Sequence, residues 1–224
     1  QTLADLLTIW REKGHFTNLT IGLCGDLKFG RTVHSLIKAL AKFQNITFFL
    51  ISPRELAVPD YVRTFMRENN MRFTEVTGLE AVMPQLDVLY MTRIQKERFV
   101  DPVEYERNKG IYVLTRRKLD RAKPDMLILH PLPRVDEITV DVDDDPRAVY
   151  FQQARFGMYA RMALLEPLAT QPRIEDRDLP PVEIGTKPVC TNPRCITQTQ
   201  HYLPPLVKKI GGVDCCGFCD AALR

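Results

Sequence analysis

No stretch of the sequence approaches the roughly 18 consecutive apolar residues that a membrane-spanning helix requires. No secretory leader opens it either: "QTLADLLTIWREKG" reads as an amphipathic helix, with Leu3, Leu6, Leu7 and Trp10 on one stripe. The chain starts at Gln1 rather than Met, which points to something removed upstream. Neither sign of charge dominates. Thirty-one basic and 28 acidic side chains leave a net +3, too little to imply nucleic acid as a partner. Cysteine is nearly missing until residue 190; Cys24 stands alone in an apolar run and reads as plain core. The other five of the six cysteines crowd into the last 35 residues. These absences describe a soluble, cytoplasmic protein with reduced thiols, in which clustered cysteines favour a metal over disulfides.

What is present is an alternation. Apolar runs "LTIGLCG" (19–25), "ITFFLI" (46–51), "DVLYM" (87–91) and "MLILH" (126–130) read as buried strands, with "RFTEV" (72–76) a weaker one. Between them, helical spacing predicts helices from Gly30 through Ala41, over 59–69 and near 79–84. "GIYVL" (110–114) reads as a further strand or a short extended piece, and Asp145-Pro146 as the start of a long helix to about Leu168. Strands that are apolar throughout, alternating with helices, predict an α/β fold with a doubly wound, Rossmann-like parallel sheet covered on both faces. Ligands of such sheets sit outside the carboxyl ends of the strands. Residues 169–188, with four prolines between Gln171 and Pro188, read as a linker. The segment 189–224 is too short for an unaided core and needs a staple.

Polar residues gather after three of the strands. "GDLKFGRTVHS" (25–35) puts Arg31 at a helix start, where backbone N–H groups and a guanidinium suit an anion. It does not match the dinucleotide pattern G-x-G-x-x-G. "YMTRIQKERF" (90–99) places Arg93 and Gln95 on one side of an extended segment, and arginine's planar fork grips carboxylates. "LHPLPRVDEI" (129–138) holds an extended, donor-poor backbone that presents carbonyl oxygens. Each has a plainer alternative: a first-turn arginine, a solvated charged loop, a rigid turn with a structural His130. Their joint placement after three strands favours one shared site.

In the tail, Cys190 and Cys195 form C-x4-C, and Cys216 and Cys219 form C-x2-C. Four soft ligands in two short-spaced pairs fit a closed structural zinc site without chemistry of its own. Cys215 with Cys219 would give C-x3-C instead; the shorter spacer favours Cys216, and the spacing leaves the choice open.

Together "QTLADLLTI", "GDLKFGRTVHSL", "MTRIQKER", "HPLPRVDEI" and "YFQQARFGMYARMALL" resemble the aspartate-binding half of aspartate carbamoyltransferase catalytic chains, over residues 1–168. The tail resembles the zinc domain of the regulatory chain, so the whole looks like a catalytic–regulatory fusion. The resemblance implies transfer of a carbamoyl group from carbamoyl phosphate to the α-amine of L-aspartate in pyrimidine biosynthesis, with no organic cofactor, by a trimer-based homo-oligomer. It implies that Arg31 and Arg93 hold the two carboxylates of aspartate, with Gln95 assisting. The backbone carbonyls of Leu132 and Pro133 would accept from the carbamoyl NH2 and the attacking amine, across a cis Leu-Pro bond, and Gln1 would touch the carbamoyl group. The ornithine-using sibling family carries a His-Cys-Leu-Pro loop and a Ser-Met-Gly motif; this sequence has "HPLP" and no Ser-Met-Gly.

Two departures qualify the resemblance. The phosphate loop Ser-x-Arg-Thr-Arg occurs nowhere in the sequence, so the chain alone is expected to be inactive or nearly so. No regulatory nucleotide domain lies between the long helix and Cys190, so no ATP or CTP site is expected. A non-catalytic, zinc-containing scaffold or regulatory lobe that binds a separate enzyme is the alternative.

Overall fold

The computed structural model describes residues 1–94, 103, 112–170, 190–193 and 195–223, with the backbone of 182–184. It divides into two compact units, Gln1–Pro167 and Leu168–Arg224.

The first unit runs α1 (Thr2–Lys13), β1 (Thr20–Cys24), α2 (Arg31–Leu40), β2 (Thr47–Ile51), α3 (Asp60–Glu68), β3 (Arg72–Val76), α4 (Leu79–Val82), β4 (Val88–Met91) and β5 (Leu127–Leu129), followed by α5 (Tyr150–Thr170). The five strands form one sheet in the order β3-β2-β1-β4-β5, every pair parallel. The chain builds outward from β1 to β3, then returns to the other side of β1 for β4 and β5. That reversal opens a crevice between the carboxyl ends of β1 and β4.

Alternate side chains feed two cores, one on each face. Leu23, Leu50, Tyr90 and Leu129 pack with α1, α2 and α3; Ile51, Leu89, Met91 and Ile128 pack with α4 and segment 112–148. Burial on both faces is why β4 and β5 read as unbroken apolar runs. β3 lies at the sheet edge with Arg72, Thr74 and Glu75 exposed, which explains its weaker pattern.

Two expectations are corrected here. The stripe predicted for α1 is rotated: its buried residues are Ala4, Asp5, Thr8 and Ile9, while Leu3 and Trp10 are half exposed. The long helix begins at Tyr150, not near Asp145. Asp145 instead takes the N–H and guanidinium of Arg147, and residues 147–149 lie along β5, with Ile128 donating to Arg147 O and Val149 to Ile128 O. Residues 110 and 111 lie outside the described set; beyond them, Leu114 makes one parallel bridge with Ile138 and joins no strand.

The second unit contains an antiparallel sheet, β6 (Val182–Ile184), β7 (Leu206–Ile210) and β8 (Val213–Cys216), in that order. β6 falls within the span read as linker, being too short to register among the flanking prolines. Gly211 and Gly212 link β7 to β8 with φ of 59° and 84°. Positive φ at both central residues matches the tight hairpin turns whose twist suits paired strands.

Candidate functional site

Loops after β1, β4 and β5 converge on a cavity of about 290 Å3 lined by Asp26, Phe29, Gly30 and Thr32, by Thr92 and Arg93, and by His130 through Pro133. Its walls are built tightly. Gly25 has φ 116°, and a Cβ there would lie 2.2 Å from Thr92 O. Only glycine permits that approach, which lets Thr92 bind Cys24 O twice, through its N–H at 2.8 Å and its hydroxyl at 3.0 Å. The Asp26 carboxylate then turns the chain by accepting from the N–H groups of Lys28 and Phe29. His34, buried on α2, anchors the same loop through Leu27 O at 2.7 Å, and Tyr61 Oη lies 2.7 Å from its other ring nitrogen.

The β5 loop is held by a buried polar chain. His130 N–H donates to Gln153 Oε1 at 2.9 Å, and Leu132 N–H donates to His130 Nδ1 at 2.8 Å. An accepting Nδ1 leaves the ring proton on Nε2, which donates to Glu137 Oε1 at 2.7 Å. Glu137 Oε2 takes the N–H groups of Val135 and Asp136. These bonds surround Leu132, which has φ 46°, a left-handed conformation costly for a leucine. Arg134 forks onto Asp143, bonds Tyr150 Oη at 3.0 Å, and stacks with its guanidinium carbon 5.5 Å from the Tyr150 ring centre.

Burial alone would raise the Glu137 carboxyl, but the bonds from His130 and the backbone outweigh it and hold it below its ordinary value. Its contribution to stability is therefore complete at neutral pH and is lost as pH falls below about 4.5. Glu137→Gln would turn an amide donor toward the Val135 and Asp136 donors. It is expected to cost about 1–3 kcal/mol at pH 7 and to flatten the acid limb of a melting-temperature profile, measured by thermal denaturation across pH.

Asp5 on α1 is 0% exposed and joins the β5 loop through Gln153. Gln1 Nε2 and Gln153 Nε2 both donate to its Oδ1 at 2.7 Å, and Tyr90 Oη donates to its Oδ2 at 3.2 Å. Burial pushes its carboxyl above the ordinary range, against the opposing effect of these bonds.

Of the residues singled out from sequence, Arg93, Leu132 and Pro133 line the cavity, and the Leu132-Pro133 bond is cis. Arg31 is exposed at the first position of α2, between Gly30 and Thr32, which line the cavity while Arg31 does not. Gln1 is exposed at the start of α1 and tied to Asp5. Gln95 lies outside the described residues. Sequence reading passed over Asp5, Glu137 and Gln153. Only the seven-residue spacing of His130 and Glu137 and the paired glutamines of "YFQQARF" could have marked them.

In the second unit the sulfurs of Cys190, Cys195, Cys216 and Cys219 all lie within 4.8 Å of one another. Cys190 and Cys219 are 3.5 Å apart, and Cys195 and Cys216 are 3.8 Å apart. A tetrahedral zinc with bonds of about 2.3 Å needs sulfurs about 3.8 Å apart, so the four fit such an ion. Thr197 Oγ1 also donates to Cys195 Sγ at 3.1 Å. Cys215 is not in the cluster: it bridges Ala222, and its neighbour Cys216 points to the opposite side of the strand.

A five-stranded parallel sheet with polar loops meeting at its switch point defines the first unit as a doubly wound α/β domain with a small-ligand crevice. Residues 17–168 match the aspartate/ornithine carbamoyltransferase Asp/Orn binding domain, and the chain belongs to that family. It is 64% identical over 165 residues to the aspartate carbamoyltransferase catalytic subunit of Clostridium novyi, covering 74% of this chain and 54% of the relative. The Finegoldia magna catalytic subunit is 58% identical, with the same coverage. Among solved structures, the catalytic subunit of M. jannaschii aspartate transcarbamoylase superposes with a TM-score of 0.71 at 48% identity, over 75% of this chain and 55% of that one. The Trypanosoma cruzi enzyme in complex with N-(phosphonacetyl)-L-aspartic acid gives 0.68 at 42%, over 73% and 53%. The chain thus spans about half the length of the relatives it matches.

Proposed function

We propose that this chain is the aspartate-binding portion of an aspartate carbamoyltransferase of pyrimidine biosynthesis, joined to a structural zinc module like that of the enzyme's regulatory chain. The observation that carries the reading is the meeting of Arg93 with the His130–Pro133 turn in one cavity, in a chain of this family. A half-buried guanidinium suits a carboxylate, and backbone oxygens suit N–H donors. In this reading Arg31 and Arg93 take the two carboxylates of aspartate, assisted by Gln95. The carbonyls of Leu132 and Pro133 accept from the carbamoyl NH2 and the attacking amine, and Gln1 faces the carbamoyl group. The neutral amine adds to the carbonyl carbon, the tetrahedral intermediate expels phosphate, and the amine loses its proton. The protein contributes placement and charge stabilisation, with no organic cofactor.

The carbamoyl phosphate portion comes from outside these residues, and the enzyme is a cytoplasmic, trimer-based homo-oligomer. Zinc, held by Cys190, Cys195, Cys216 and Cys219, stabilises the tail; the chain has no ATP or CTP site. The full-length enzyme carrying this chain is expected to form carbamoyl-aspartate from aspartate and no product from ornithine, while residues 1–224 alone give none. Assay of all three by product formation tests the reading. Absence of transfer in the full-length enzyme would favour a non-catalytic scaffold.

A further inference from the structure

We infer that Asp5 is a positioning residue for this reaction, a buried acceptor that sets the direction of two carboxamides, Gln1 beside the carbamoyl group and Gln153 beneath the β5 loop. The inference rests on the reading above, in which Gln1 faces the carbamoyl group.

A carboxylate buried only to hold a helix is a poor choice, since a well-packed apolar residue usually does as well. An apolar residue cannot accept from two amides at once. Asp5 Oδ1 takes the Nε2 groups of both Gln1 and Gln153 at 2.7 Å, and Tyr90 satisfies Oδ2. A carboxamide has one donor end and one acceptor end, so fixing Nε2 on Asp5 decides which atom remains. For Gln1 that atom is Oε1, an acceptor, which complements the NH2 of a carbamoyl group; the flipped amide would set donor against donor. For Gln153 it is again Oε1, which takes the His130 N–H at 2.9 Å. His130 in turn receives the Leu132 N–H. One carboxylate thereby connects Gln1, at the N-cap of α1, with the turn that carries Leu132 and Pro133, and the bonds on both arms of the path donate toward Asp5.

A double-mutant cycle in the full-length enzyme tests this. Gln1→Ala and Asp5→Ala are each expected to raise KM for carbamoyl phosphate about tenfold, the scale of one hydrogen bond. The double variant is expected to fall clearly below the product of the two single effects, because Asp5 has only Gln153 left to orient once Gln1 is gone. Asp5→Asn is expected to remain within about threefold of wild type, since its Oδ1 still accepts from both glutamines and its NH2 donates to the Tyr90 oxygen. Should Asp5→Ala fail to fold, Asp5→Leu fills the same space and carries the comparison. Multiplicative effects in the double variant, an unchanged KM without the carboxylate, or an Asp5→Asn variant as impaired as Asp5→Ala would overturn the inference. Wild-type enzyme without carbamoyl transfer would instead defeat the functional reading beneath it.

Discussion

Arg93→Ala is expected to lower kcat/KM for aspartate by roughly two to four powers of ten, the cost of losing a two-bond grip on a carboxylate at about 1.5–3 kcal/mol per bond. Arg93 follows Met91 and Thr92 out of β4, half-buried, on the wall shared with His130 and Pro131. Its backbone is set by the paired bonds from Thr92 to Cys24 O, so the guanidinium is carried on a rigid mount. The loss should fall on aspartate, leaving KM for carbamoyl phosphate within a few-fold. Arg93→Lys should recover little, because an ammonium cannot reproduce the fork. Steady-state kinetics with each substrate varied in turn measures both. Transfer within threefold of wild type would mean that this arginine does not hold the substrate.

The second large effect belongs to the cysteines. Cys216→Ser is expected to reduce bound zinc from about one per chain to none and to unfold Leu168–Arg224, since a structural zinc site supplies about 10 kcal/mol or more. Cys215→Ser should keep the metal, because Cys215 lies outside the converging quartet. Metal analysis and limited proteolysis of the tail distinguish the two variants. Chelation should likewise weaken assembly more than it changes the use of aspartate, as read by oligomer size and by KM. Equal metal loss in both serine variants would overturn the assignment.

Much of this was legible in the sequence, for identifiable reasons. β1, β2, β4 and β5 announced themselves because a sheet buried on both faces leaves unbroken apolar runs, and α2 because Val33, Leu36, Ile37 and Leu40 all point into one core. The convergence of Cys190, Cys195, Cys216 and Cys219 was legible because two short-spaced pairs are the pattern that a four-sulfur cluster takes in sequence. What escaped notice was polar and buried. The face of α1 was misjudged because periodicity counts apolar residues, whereas this helix turns Asp5 and Thr8 inward. The start of α5 was misplaced because Asp145, which reads as a helix cap, is taken by Arg147. Glu137 and Gln153 reach His130 across 7 and 23 positions, separations at which no local pattern signals a contact.

All the polar loops of the crevice leave the carboxyl ends of strands in a sheet whose two faces are sealed by separate apolar cores. Foundation and rim are thereby freed from each other in descent as well as in space. A lineage can exchange a few side chains just past Met91 or Leu129 and reshape the crevice, while the strands beneath continue to fold on their own terms. Drift inside the foundation can proceed just as quietly, so long as each core keeps its volume and the glycine at position 25 keeps the two halves of the sheet shoulder to shoulder.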